Sequence, residues 1–171
     1  YYDGSNWDPI KDLDTVGGDD TWLHFTEVIT DPQYLKTNFR VQLYSQSLGT
    51  NQMVWVDDAV IKRVTAGASA INDGFEAWND KWDTYGTYWF LASDQKHSGG
   101  WSVKAIDGRD GDFRSDYMDT SGAAAIFVDF WYRKTDISTN QFRLWFYDGG
   151  TWDLIDDLDS YGGSGSDNIW V

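Results

Sequence analysis

Three stretches of the sequence place aromatic rings and planar hydrogen-bonding groups at alternate positions. They read AIFVDFWYR at 125–133, QFRLWFY at 141–147 and NFRVQLY at 38–44. Successive side chains of a β-strand point to opposite faces, so each stretch predicts one apolar face and one mixed face. The apolar faces supply the core candidates Ile126, Val128, Phe130, Tyr132, Phe142, Leu144, Phe146, Phe39, Val41 and Leu43. The mixed faces supply nine candidate ligand-binding residues: Asp129, Trp131, Arg133, Arg143, Trp145, Tyr147, Arg40, Gln42 and Tyr44.

The residue types on the mixed faces suit a carbohydrate. The CH faces of sugar rings stack on Trp and Tyr, while Arg, Gln and Asp form hydrogen bonds with hydroxyl groups. If the three strands are neighbours, their mixed faces join into one surface. Two alternatives stay open. The mixed face packs against a neighbouring domain, or a shift of one residue in strand parity exchanges the two faces.

Residues suited to catalysis are sparse. His24 lies in the alternating stretch WLHFTEV and His97 in a turn, and neither is near a nucleophile motif such as G-x-S-x-G. Paired carboxylates can hydrolyse glycosides, but among 28 acidic residues some pair always looks suitable. We therefore predict that the protein is not an enzyme and has no catalytic residues.

The composition limits the possible partners. The net charge is −15 and there is no basic patch, so nucleic acid and anionic membrane surfaces are unlikely partners on electrostatic grounds. An acidic surface suits divalent cations, neutral glycans or simply solubility. The chain has no cysteine, which excludes disulfides and thiolate metal sites. No apolar run approaches the roughly 20 residues of a membrane span.

The local patterns are those of short strands separated by polar turns. Apolar and polar residues alternate in HFTEVI, QMVWVDDAVIK and WSVKAI as well as in the three stretches above, and no long segment has a helical period. These patterns predict an all-β fold, an antiparallel β-sandwich of jelly-roll type. Asp-Gly at 148–149, and again at 3–4, predicts a tight type I′ hairpin.

An internal repeat sets the organisation of the chain. Residues 2–18 (YDGSNWDPIKDLDTVGG) and 147–163 (YDGGTWDLIDDLDSYGG) are identical at 11 of 17 positions with an offset of 145. We interpret the chain as a window on tandem repeats of roughly 145 residues. It then holds the C-terminal half of one repeat (1–63), a linker (64–71) and the N-terminal two-thirds of the next repeat (72–171).

This phase leaves two arrangements open. Half-repeats have unpaired strand edges, which neighbouring copies can complete by strand exchange, giving a filament. Alternatively, 1–63 and 72–171 close one sandwich within the chain. The strands on either side of the linker are then adjacent and antiparallel, and residues 1–22 and 147–170 compete for one position.

Taken in repeat order, the motifs carry a family resemblance. They are DGFEAW (73–78), HSGGWSVKA (97–105), MDTSG (118–122), FVDFWYRK (127–134), LWFYDGGTWDLI (144–155), NFRVQLY (38–44) and VWVDDAVI (54–61). In this order the chain resembles the jelly-roll carbohydrate-binding modules of extracellular proteins, which are themselves similar to MAM-like domains. The resemblance covers most of one repeat and implies a module on the cell surface or outside the cell.

The resemblance also implies a structural calcium ion (Ca2+). It places the ligands at Asp57 and Glu76, with backbone carbonyl groups from Ser98 or Gly99. Asp58 and Asp73 are weaker candidates, and ordinary strand-edge carboxylates are the alternative. Oxygen ligands without Cys or His suit calcium.

Two functions follow as expectations. The first is a calcium-stabilised module that binds polysaccharide on its aromatic face. The second is a structural repeat of a surface filament, stalk or adhesin, whose partners are neighbouring repeats or copies of itself.

Overall fold

The computed structural model describes residues 20–65, 70–78, 80–85, 89–106, 110–137 and 141–157. Within these ranges the chain forms β-strands and no helix, and accordingly no helix there could cross a membrane. The strands are β1 (Trp22–Ile29), β2 (Arg40–Ser45), β3 (Met53–Arg63), β4 (Ala70–Asp73), β5 (Trp82–Tyr85), β6 (Trp89–Ala92), β7 (Ser102–Ile106), β8 (Gly111–Ser115), β9 (Ile126–Thr135), β10 (Phe142–Tyr147) and β11 (Trp152–Asp157).

The strands form two antiparallel sheets. Sheet one has the order β1-β9-β3-β7-β6, with β4 paired to β3, and sheet two has the order β11-β10-β2-β8-β5. Their inner faces pack on each other: Tyr132 on β9 contacts Phe142 on β10 (ring centroids 5.8 Å apart), and Trp89 on β6 stacks on Phe113 on β8 at 5.3 Å. The predicted all-β class and the β-sandwich architecture are therefore confirmed.

The core follows the predicted alternation. Along β9, buried and partly exposed residues alternate strictly, and β10 has the same pattern. All ten predicted core residues are buried. The predicted inward and outward faces of β2, β9 and β10 are therefore confirmed. A period of two is a local property that the sequence of one strand reveals.

The strands on either side of the predicted linker lie side by side. β3 and β4 pair antiparallel, with Ala59 opposite Asp73 and Ile61 opposite Ile71. Both sheets combine strands from the two segments: β1 and β3 pair with later strands in sheet one, and β2 lies between β10 and β8 in sheet two. The described parts of the two predicted half-repeats thus share one sandwich. The repeat boundaries stay a prediction. The first copy of the repeated motif (2–18) and residues 158–163 of the second copy lie outside the described residues.

The β10–β11 hairpin turns at Asp148–Thr151. Only Gly149 has a positive φ in this turn (97°), and the Asp148 carboxylate accepts N–H bonds from Gly150 and Thr151, both at 2.8 Å. The predicted type I′ turn is wrong, because that type needs positive φ at both central residues, whereas a positive φ at the first central residue alone defines type II′. Gly149 has little room for a side chain, since a Cβ there would overlap the Asn38 amide.

Candidate functional site

The nine predicted ligand-binding residues divide between the two outer faces of the sandwich. β10 and β2 are neighbours in sheet two, whereas β9 lies in sheet one, between β1 and β3. The single surface that the sequence suggested does not form, because strand neighbours depend on topology. Six of the residues share the outer face of sheet two: Arg40, Gln42, Tyr44, Arg143, Trp145 and Tyr147. The other three, Asp129, Trp131 and Arg133, lie on the outer face of sheet one.

Three residues that the sequence analysis missed complete the surface on sheet two, which we call the sheet-two face. Arg114 lies opposite Gln42 on β8, Trp152 lies opposite Tyr147 on β11, and Tyr117 follows β8. Alternation in GDFRS would have revealed Arg114. In β11 alternation misleads, because Trp152 and Leu154 flank Asp153 as core residues would, yet Leu154 is 37% exposed. Tyr117 lies beyond its strand, where no periodicity predicts orientation.

Rings form a continuous line on the sheet-two face. Tyr147 lies between Trp152 (centroids 5.1 Å apart, planes at 39°) and Tyr117 (6.4 Å, 59°). Tyr117 is 61% exposed. The line crosses from β11 past β10 to the end of β8, and it offers ring faces for stacking.

Planar polar groups lie beside the rings and are held in place by hydrogen bonds. The guanidinium of Arg40 lies 4.4 Å from the Tyr117 centroid and donates to Asp83 at 2.7 Å. Arg114 donates to the amide oxygen of Gln42 at 2.9 Å and also pairs with Asp112. We expected Arg40 and Gln42 to be exposed, but both are buried, Arg40 with only 4% of its surface accessible. They lie flat against the sheet among these partners.

Two N–H donors on this face have no partner. The Nε of Arg143 and the Nε1 of Trp145 are buried and form no hydrogen bond among the described residues. An unpaired buried donor costs about 1–3 kcal/mol. Tyr44 lies opposite Arg143, and burial, with Asp110 and Asp112 adding to it, raises the pKa of its hydroxyl.

On sheet one, the ring of Trp131 is covered on both faces. His24 stacks on it at 4.5 Å (15° between planes) and His97 at 3.9 Å (9°). The imidazole of His24 also bonds to Asp129 at 2.7 Å. Arg133 lies over Trp55 and bonds to Asp20. These three predicted ligand residues therefore contact other parts of the protein, and Trp131 has no free face for a sugar ring.

The four predicted metal ligands come together around the loop at 97–101. Asp57 is buried and accepts N–H bonds from His97 at 2.8 Å and Ser98 at 3.1 Å. Glu76 accepts the N–H of Gly100 at 2.9 Å. Burial raises the pKa of Asp57, although the hydrogen bonds from the backbone N–H groups of Ser98 and His97 act to lower it. Gly99 has a φ of 60°, and a Cβ there would overlap the Glu76 carboxylate.

The weaker candidates, Asp58 and Asp73, also bond to protein groups. Asp58 bonds to the His97 ring at 2.8 Å and accepts the Ser98 hydroxyl at 2.7 Å. Asp73 accepts the Trp82 indole N–H at 3.0 Å.

This arrangement does not fit a calcium ion as it stands. Calcium needs several oxygen ligands pointing to one centre, whereas the Asp57 and Glu76 oxygens point to N–H donors. Within the described ranges, no three acidic or histidine side chains are grouped to hold a metal. The carboxylates instead anchor the loop, and the calcium site stays a prediction.

Comparisons of the chain with protein-family profiles, curated proteins and solved structures find no match. The resemblance to carbohydrate-binding modules therefore rests on the motifs alone.

Proposed function

We propose that the chain is a non-catalytic module, extracellular or on the cell surface, that binds polysaccharide on the sheet-two face. The proposal includes the jelly-roll connection of the strands and the tandem repeat. One observation carries it: the line of rings from Tyr117 through Tyr147 to Trp152 runs beside planar donors that are already held in position. Prepositioned side chains lose little conformational entropy when a ligand binds.

The charges on this face favour a neutral glycan. Arg40 pairs with Asp83 and Arg114 pairs with Asp112, so these cations are already balanced. The net charge of −15 opposes the approach of an anionic polymer. Sugar hydroxyl groups can donate to the carboxylates of Asp83 and Asp112 that hold Arg40 and Arg114 in position.

A pull-down on insoluble neutral polysaccharides, followed by titration with soluble fragments, tests this proposal. We expect Tyr147→Ala and Trp152→Ala to lose at least tenfold in affinity, since truncating an aromatic anchor of a binding face costs about 2 kcal/mol or more. Phe90→Ala is the matched control, because Phe90 is 39% exposed but lies on sheet one. Unchanged binding by both sheet-two variants would refute the site.

A second candidate function is a structural repeat joined by strand exchange. Five residues that shape the β10–β11 hairpin recur in the first copy of the motif. Tyr147, Asp148, Gly149, Trp152 and Asp153 correspond to Tyr2, Asp3, Gly4, Trp7 and Asp8 at the offset of 145. In the hairpin, for example, Trp152 contacts Tyr147 and Arg114, and Asp153 accepts the Tyr34 hydroxyl. A second chain therefore carries a sequence that matches β11 for pairing with β10.

A disulfide trap tests the second candidate, because the chain has no cysteine of its own. Arg143 lies opposite Asp157, whose counterpart is Asp12. Directly opposed residues of antiparallel strands are within disulfide reach. Oxidised Asp12→Cys/Arg143→Cys protein should form covalent oligomers, whereas Asp157→Cys/Arg143→Cys should crosslink within the monomer. Monomers alone in both variants would contradict assembly by this route.

A further inference from the structure

Trp78 and Trp101 are the most exposed tryptophans in the described part of the chain, at 45% and 42%. Glu76 connects them. Its carboxylate accepts the backbone N–H of Trp101 at 3.3 Å, and Trp78 follows it by two residues. One exposed carboxylate thus connects two residues with exposed indoles, Trp101 through its backbone N–H and Trp78 through the chain. The Trp78 ring also lies 6.1 Å from the ring of Phe113.

The backbone that carries these rings is firmly held. Phe75 has a φ of 53°, unusual for a residue with a side chain, and it is buried in the core beside Trp82 and Phe113. Its N–H bonds to Asp73 at 2.9 Å. On the other side, Gly99 has a φ of 60°. A positive φ is ordinary for glycine, but at Phe75 it is costly, and such non-glycine conformations cluster at functional sites.

Elsewhere in the protein, ring faces are used to hold cations. Arginine or lysine side chains lie over the rings of Trp55, Tyr117, Phe127 and Trp152. None of the cation–ring contacts found within the described ranges involves Trp78 or Trp101. Trp78 follows Glu76 by two residues and Trp101 bonds to it through its backbone N–H, on a chain whose net charge is −15. Two exposed indoles beside this carboxylate are complementary to a cation from outside.

We infer that Glu76, Trp78 and Trp101 form a binding site for an organic ammonium group. Tryptophan is the strongest aromatic partner for such a cation, and the carboxylate adds direct charge attraction. A neutral sugar would gain the stacking but not the charge term. The ammonium group of an amino sugar and that of a lysine side chain share this chemistry. The inference does not depend on polysaccharide binding at the sheet-two face.

Titration of the intact chain with tetramethylammonium, followed by tryptophan fluorescence, tests the inference. We expect saturable binding that added salt weakens, and a loss of about five- to tenfold in Trp78→Ala, Trp101→Ala and Glu76→Gln. Phe90→Ala should bind normally, since this exposed ring has no role in the site. Trp78→Phe and Trp101→Phe, which keep an aromatic ring, serve if the alanine variants do not fold, and we expect them to lose less.

Glucosamine oligosaccharides and a lysine-rich peptide then distinguish the two sources of the ammonium group. Stronger binding of either one than of N-acetylglucosamine oligosaccharides, lost in the same variants, identifies the source. The inference is overturned if tetramethylammonium does not bind, if all variants bind it equally, or if the neutral oligosaccharide competes equally well at this site.

Discussion

The imidazole of His97 lies face to face with the indole of Trp131, with the ring centroids 3.9 Å apart. The loop at 97–101 is therefore folded over the outer face of sheet one. Asp57, Asp58 and Glu76 hold it there by hydrogen bonds. His24 covers the opposite face of the same indole, so both histidines of the chain stack on one tryptophan.

Replacing His97 by Ala should uncover one face of Trp131. We expect a red-shifted tryptophan emission, easier quenching by acrylamide, and a stability loss of about 0.5–1.5 kcal/mol, the usual range for an aromatic pair. A His97→Ala variant that also carries Trp131→Phe controls for the other tryptophans. If the quenching does not change in the single variant, the contact does not persist in solution.

Replacing Gly99 by Ala should destabilise the protein more than replacing Gly122. Both glycines have left-handed φ values, 60° and 71°, but a Cβ at Gly99 overlaps the Glu76 carboxylate, whereas one at Gly122 meets nothing within 4 Å. The backbone term, about 1 kcal/mol, is common to both. Urea melts of the two variants measure the difference, and equal losses would show that the Glu76 side chain moves aside at little cost.

Trp145→Phe should leave the protein at least as stable as the unmodified chain. The substitution removes a buried N–H that has no partner, whose burial costs about 1–3 kcal/mol, and keeps an aromatic ring. Trp82→Phe is the control, and we expect it to be destabilising. The Trp82 N–H donates to Asp73 at 3.0 Å, so its removal takes one hydrogen bond from that carboxylate. Thermal melts compare the stabilities. A Trp145→Phe protein that is clearly less stable would show that this N–H is satisfied.

Asp94 should contribute stability that acid removes. Burial acts to raise the pKa of this carboxyl, but hydrogen bonds from Lys104 and Trp55 outweigh it, so the pKa lies below the usual value. A carboxyl with a lowered pKa in the folded state stabilises the fold above its unfolded pKa, and the contribution is lost as the pH falls through the folded pKa. Because Asp94 is half exposed, we expect Asp94→Asn to cost less than about 1 kcal/mol at neutral pH.

The pH profile of urea stability checks this expectation. The difference between Asp94→Asn and the unmodified chain should shrink as the pH falls below the ordinary Asp value of 3.8. Asp116→Asn provides a control on an exposed carboxylate outside the described ion pairs. A difference that stays constant down to acid pH would point to lost packing instead of lost charge.

Removing calcium should leave the melting temperature unchanged. The carboxylates of Asp57 and Glu76 already accept hydrogen bonds from the loop, so the loop has anchors without an ion. Melting curves in EDTA and in excess calcium measure the effect. A melting temperature that falls with EDTA and recovers with calcium would show that the loop turns carbonyl groups towards an ion, as the family resemblance implies.

Strand type and side-chain parity were determined by the sequence alone. The core-facing residues of β2, β9 and β10 were all predicted correctly, because successive side chains of a strand point to opposite faces whatever the rest of the fold. The positive φ at Gly149 was equally local, although the turn type and the close approach of Asn38 were not.

Only the tertiary structure decided which surfaces exist. It put β9 in one sheet and β10 with β2 in the other, which separated Trp131 from Trp145. It brought His97 onto Trp131 from 34 positions away in the sequence, and the N–H of Gly100 onto Glu76. Strand neighbours and loop contacts depend on how distant segments compete for the same edges and faces, and local alternation carries no information about that competition.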